Sequence, residues 1–349
     1  MLNMNSLPHS LVYTTLIAAC LAMMPVVSAQ AGAPLTGRAA GSVPKGSIWD
    51  EHWQFRKSVL VASPEIELEY YLYGELGNEE NMVNSLRRDR VQISSSSLWG
   101  LSSTIPEAAV LSLPYLFESA EEADYFYDCC AGDIIRPYLE PIGITFLGWS
   151  EAGWTGFYGP KAYLTPESVR QEKLRTPSTP SVALFFQSLD VDTVFLGIQD
   201  VVPALQTGMV QGGASSLPWY ANAFKDHAPH YTLSGHHYET TVIMASKKWL
   251  ESATPVQHSV IDKAFKVFST QRSGVREDAL IKIAELRESG IYVHDLTPGQ
   301  RQRWIAAATA VHPDILRDIG GDAGQIYAKV LEAKAEFNLR IGQKAASPP

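Results

Sequence analysis

Residues 65–100, EIELEYYLYGELGNEENMVNSLRRDRVQISSSSLWG, decide the fold class of this chain. "EIELEYYLYG" alternates apolar and polar side chains, the pattern of a half-buried strand. "NEENMVNSLRRDR" returns to helical spacing, and "VQISSSS" is a second strand that passes into hydroxyls. Upstream, a short strand is expected over Thr36–Ala40. "KGSIWDEHWQFRKSVL" spaces Ile48, Trp49, Trp53, Phe55 and Val59 along a helix, with Ser47 as its N-cap. The order strand–helix–strand–helix–strand is that of an α/β layer with a largely parallel sheet.

The order then repeats. "SAEEADYFYDCCAG" is a helix capped by Ser119, with Glu122 at the capping-box position. "GITFLGWSEAG" is a strand ending in Gly153. "EKLRTPS" and "DTVFLG" are strands with the helix "PSVALFFQSLD" between them. "QDVVPALQTG" is a helix that ends at Gly208, a C′ glycine. "MVQ" starts a short strand, after which Gly212-Gly213 lets the backbone approach a cleft, and "HYETTVIMAS" is a further strand. Pro255–Gly290 carries one helical pattern, about 50 Å long if continuous. Two amphipathic helices close the chain. The fold expected is two α/β lobes with a cleft between them, joined by crossing strands and a long lobe-spanning helix. Residues 1–29 are set apart as a signal. One lobe takes 30–152 plus about 243–285, and the other takes 153–242 plus about 286–345 with the C-terminal helices.

The chain has 349 residues, 46% of them hydrophobic, enough for two lobes, and a net charge of −9. That charge argues against nucleic acid, whose partners are basic and clustered. Leu11–Val27 is almost wholly apolar and uncharged. "VSA" at Val27–Ala29 places small residues at a cleavage position, so export with cleavage after Ala29 is expected. Pro25 interrupts the run, against a membrane anchor. A lipid anchor on Cys20 is the less favoured alternative, because hydrophobic residues follow it. Cys129 and Cys130 are neighbours, a spacing unfavourable for a relaxed disulfide, so no disulfide framework is expected, with a vicinal redox pair as the less favoured alternative.

There is no G-x-S-x-G, no P-loop and no H-E-x-x-H. Gly208, Gly212 and Gly213 follow a helix and lack the Lys-Ser/Thr of a phosphate loop, so they turn the chain. His227, His230, His236 and His237 cluster. A shared metal is weighed there against a polar loop entering a strand, with His236 and His237 facing opposite sides, and the loop is preferred. No metal, cofactor or catalysis is expected. Strand ends of α/β lobes present side chains to the crevice at their carboxyl edge. That places Ser95, Ser97 and Trp99, Trp154 and Phe157, Arg175, and Ser215 and Trp219 as candidate ligand contacts, to which Gln211 and Tyr238 are added. Hydroxyls, aromatics and one guanidinium are binding chemistry without a nucleophile–base pair. The plain alternative for each aromatic is core packing, and for Arg175 a surface ion pair.

Five blocks in order carry a resemblance: "LGNEENMVNSLRRDRVQI" (76–93), "VLSLPYLFESAEEADYF" (110–126), "GITFLGWSEAGW" (143–154), "LTPESVRQEKLRTP" (164–177) and "ALQTGMVQG" (204–212). The chain resembles DctP-type substrate-binding proteins of TRAP transporters from about Ser47 to Phe265. The resemblance implies a periplasmic receptor that closes around a small organic anion. It implies delivery of that anion to membrane permease subunits driven by an ion gradient. In that family the basic residue of the "K-x-R" block pairs with the substrate carboxylate, which corresponds here to Arg175. The chain departs from the family elsewhere. Thr155 stands where many members have a second Arg, and Gln211, Ala214 and Ser215 replace an Asp, a Glu and an Asn. With one cation left and extra Trp residues, a monocarboxylate with an apolar body is expected over a dicarboxylate. A lipid carrier or sensor on the same fold is the alternative function, and an exported enzyme ranks last.

Overall fold

The structure, a computed structural model, describes residues 33–346. The expected export signal and Cys20 lie outside the described residues. Among the described residues ten strands form one sheet system: β1 Leu35–Ala40, β2 Ile66–Tyr71, β3 Ile93–Ser97, β4 Ile144–Gly159, β5 Lys173–Thr176, β6 Asp192–Phe195, β7 Gly212–Ser216, β8 His230–Thr232, β9 Tyr238–Ser246 and β10 Tyr292–His294. The spatial order is β2-β1-β3-β9-β4-β7-β5-β6, with β8 and β10 off that path. β1 runs parallel to β2 and β3, and β5 runs parallel to β6 and β7. These are the sheets of two α/β lobes.

β4 and β9 join them. β4 pairs antiparallel with β9 from Ile144 to Trp154, then continues against β7 from Thr155 to Tyr158. The strand expected to stop at Gly153 therefore does not. Gly153 has φ +94 and sits at a register shift between Glu151 and Gly153, so the strand bends there and keeps pairing. The antiparallel steps fix the geometry. β3 runs in the sense of β4 while β7, β5 and β6 run against it, so the carboxyl ends of both parallel sets point at the bend.

β7 starts at the glycines and not at Met209. A Cβ on Gly212 would lie 2.1 Å from the Tyr158 carbonyl oxygen, and one on Gly213 2.7 Å from the Tyr158 hydroxyl. Only glycine lets β7 lie this close to β4. Gly208, with φ +70, ends the helix Val201–Gln206.

Helices cover both faces of the sheets. Helix Ile48–Val61 is capped by the Ser47 side chain and buries Trp49 and Trp53, although Phe55 of the expected stripe is exposed. One buried cluster joins Phe117, Phe126, Trp149, Phe157, Phe186 and Trp304. A second gathers Trp53, Ile93, Ile243, Trp249 and Phe265, and a third Tyr158, Tyr220, Phe224 and Tyr231. Among the described residues no helix is long and apolar enough to cross a membrane.

The long helical pattern is two helices, Pro255–Phe265 and Phe268–Glu288, separated at Lys266 (ψ 53) and Val267 (φ −128). The segments serve different partners. The first packs Ile261, Ala264 and Phe265 into the cluster with Trp53, while the second crosses β4. There Val275 covers Gly153, and Arg276 bonds Glu151, Asp124 and the Tyr238 hydroxyl.

Two further expectations are corrected. Cys129 and Cys130 form a disulfide, with Cα atoms 3.7 Å apart. The pair occupies the joint between helices Ala120–Cys129 and Ala131–Leu139, where Cys130 leaves helical geometry (φ −133) and the neighbouring side chains come together. His236 and His237 precede β9 and do not alternate across a strand. Both are buried in one aromatic layer, His236 stacked on Phe157 at 4.2 Å and His237 edge-on to Trp99 at 5.6 Å.

Candidate functional site: a cleft at the strand ends

The converging strand ends enclose one cleft. From the first lobe come Asn78 and Glu79, which start the helix after β2, and Ser97, Trp99 and Gly100 at the end of β3. From the second come Arg175 and Pro177 at the end of β5, Gly197–Gln199 after β6, Ser215 at the end of β7 and Trp219 after it. Ala152, Glu239 and Thr241 of the crossing strands form the floor. The rims touch: Gln199 Nε2 donates to Ser42 Oγ at 3.1 Å, and the rings of Trp49 and Trp219 lie 6.1 Å apart. A second hollow adjoins the cleft and shares Glu79, Ala152, Trp219 and Thr241 with it. Ser95, Trp53 and Arg56 lie on its far side.

Arg175 is 4% exposed. Its Nε donates to the Leu196 carbonyl at 3.0 Å. Its terminal nitrogens make no hydrogen bond or ion pair among the described residues. Burial pulls its pKa down, against the opposing pull of Tyr158, Glu239 and Glu79. A guanidinium held at one nitrogen with its fork free suits a carboxylate.

Three carboxyl groups, those of Glu79, Glu80 and Glu239, line the cleft with it. Glu79 accepts from both the amide and the hydroxyl of Ser97. Gly100 leaves room for this, since a Cβ there would lie 2.7 Å from Glu79 Oε2. Burial raises the Glu79 pKa, partly offset by the Ser97 bonds. Glu239 is 8% exposed and its carboxyl has no hydrogen-bond partner among the described residues. Burial, then the neighbouring Glu79, pushes it up to about 8, while Arg175 pulls it down.

Of the ten candidate residues, the cleft gathers Arg175, Ser97, Trp99, Ser215 and Trp219, and Ser95 lines the adjoining hollow. Four lie elsewhere. Phe157 is wholly buried between His236 and Trp304. Tyr238 packs on Trp154 and donates to Glu151, in the network of Arg276 behind the bend. Trp154 borders a separate surface hollow beside Arg301. Gln211 precedes β7 and bonds the Lys173 backbone at the amino end of the strands, whereas the cleft lies at their carboxyl end. The residues that sequence reasoning missed are Glu79 and Glu239. Glu79 reads as an ordinary first-turn acid of a helix. Glu239 carried a usable signal, a lone carboxylate inside the apolar strand "HYETTVIMAS". Among the described residues no three metal-ligating side chains gather.

Two α/β lobes, two crossing strands and one polar, aromatic-walled cleft at the strand ends define a two-lobed solute-binding protein. Residues 61–318 match the family of bacterial extracellular solute-binding proteins, family 7 (DctP), and the chain belongs to that family. A solute-binding protein of Verminephrobacter eiseniae is 26% identical over 248 residues, 70% of this chain and 73% of that protein. The C4-dicarboxylate-binding periplasmic protein DctP of Vibrio cholerae is 22% identical, covering 71% of this chain and 75% of that one. The sugar acid binding protein DctPAm of Advenella mimigardefordensis, solved with galactonate, superposes with a TM-score of 0.82 at 23% identity. The match covers 87% of this chain and 99% of that one.

Proposed function

We propose that this protein captures a small organic acid outside the cytoplasm, with residues 1–29 serving as its export signal. It then hands the acid to the permease subunits of a TRAP transporter. The observation that carries the reading is Arg175, a buried guanidinium at the cleft whose terminal nitrogens are unengaged among the described residues. Ser97 and Ser215 supply hydroxyls, and Trp99 and Trp219 supply apolar walls beside it. The acid is a monocarboxylate with an apolar body. A second carboxylate would meet Glu79, Glu80 and Glu239 in place of a second cation.

A thermal-shift screen of organic acids on the purified mature protein tests this. A ligand at 100 times its dissociation constant stabilises by about 2.7 kcal/mol, a shift of a few degrees. A blank across mono- and dicarboxylates would remove the reading.

A further inference from the structure

The cleft holds a second, opposite binding element. Glu239 sits on β9, opposite Gly153 at the bend, with its carboxyl nearly enclosed and unbonded among the described residues. A buried carboxyl without a donor is costly, and such groups persist where a ligand completes them. Arg175 does not complete it, because no ion pair joins the two within 4 Å among the described residues. Glu79 lines the same cleft, held by Ser97 in the space that Gly100 leaves. Trp99 and Trp219 wall the same cleft, and indole faces attract cations. One guanidinium thus shares the cleft with the carboxyl groups of Glu79, Glu80 and Glu239 and two indole rings.

We infer that the ligand is amphoteric: its carboxylate pairs with Arg175, and a protonated amine or quaternary ammonium group on its body pairs with Glu239, with Glu79 as the second acceptor. The inference rests on the organic-acid reading above: it keeps the single carboxylate and puts a cationic group on the body in place of a purely apolar one. Arg175 alone would select any acid. The carboxyl pair selects those that carry a positive charge a few ångströms from the carboxylate. An apolar body would leave Glu239 buried with nothing to bind.

Isosteric pairs test this on the purified mature protein by calorimetry. Glycine betaine is compared with 3,3-dimethylbutanoate, L-leucine with 2,4-dimethylpentanoate, and 4-aminobutyrate with pentanoate. Each pair differs in the cationic nitrogen and little else. The expected result is that in at least one pair the amphoteric member binds tenfold or more tightly than its isostere. In Glu239→Gln that ratio should collapse, because the amphoteric member loses the affinity that sets it above its isostere. The wild-type comparison needs no variant, so it holds whatever the substitution does to folding. If the uncharged-body acids bind as well or better, the inference falls and the organic-acid reading stands. If no member of any pair binds, both fall.

Discussion

The Nε of Arg175 donates to the carbonyl of Leu196, which joins the end of β5 to the chain leaving β6 and fixes the guanidinium at the cleft. Arg175→Ala should weaken a carboxylate ligand by ~2–5 kcal/mol, the cost of leaving a buried charge unpaired. Arg175→Lys should recover little of this, because an ammonium cannot hold the Leu196 carbonyl and a carboxylate through one planar fork. Calorimetry on the three proteins decides it, and unchanged affinity in Arg175→Ala would make the residue structural.

Glu239 costs the unliganded protein stability. Its pKa is raised from 4.5 to about 8 by burial and by Glu79, with Arg175 opposing. Between those values the folded state holds a proton that the unfolded chain has released, so stability falls as pH rises from about 4.5 to 8. Each unit of difference corresponds to about 1.4 kcal/mol. Glu239→Gln should therefore raise the melting temperature more at pH 8 than at pH 5. An equal effect at both would show that Glu239 is not held protonated in the empty cleft.

The buried histidines act in the opposite sense. Burial pushes His237 down to about 3 and His52 to about 4, and His236 well below its ordinary 6.5. Below pH 6.5 the unfolded chain binds protons that the folded state refuses, so stability falls as pH drops toward those values. With Glu239 limiting the alkaline side, the unliganded protein should be most stable near pH 7, where the three histidines and the one carboxyl cancel. A melting profile from pH 4 to 9 that is flat or rises steadily would contradict this.

Gly212 and Gly208 should fail for different reasons. In Gly212→Ala the new methyl meets the Tyr158 backbone at 2.1 Å, so β7 must move from β4. A loss of about 1–3 kcal/mol or more is expected, as for overpacked sites. Gly208 has open space around it and φ +70. Gly208→Ala should cost only the left-handed backbone penalty, about 1–2 kcal/mol, and Gly208→Asn less. Chemical denaturation of the three variants gives the ranking.

Ser47, Asn78 and Ser119 cap their helices through side chains that the sequence places at fixed offsets, and "EIELEYY" shows its alternation within seven residues. Such features are local, because capping and pleating join residues a few positions apart. The order of these elements gives the α/β class, and five motif blocks give the family. Arg175 was legible from its block and from its place at a strand end.

What the tertiary structure decided is whatever depends on partners distant in the chain. The sequence could not tell that β4 would run past Gly153, because the bend is held by β9, β7 and Val275. Nor could it separate Phe157 and Tyr238, which pack into the core, from Trp99 and Trp219, which wall the cleft. All four read as aromatics near strand ends, and burial depends on what lies opposite. Cys129–Cys130 depended on the angle at which two helices meet. Glu239 shows the division most clearly. By itself the sequence determined that a carboxylate sits inside an apolar strand. Only the fold brought Glu79, 160 positions earlier, and Arg175, 64 positions earlier, beside it. Electrostatic work falls with distance in space and takes no account of separation along the chain.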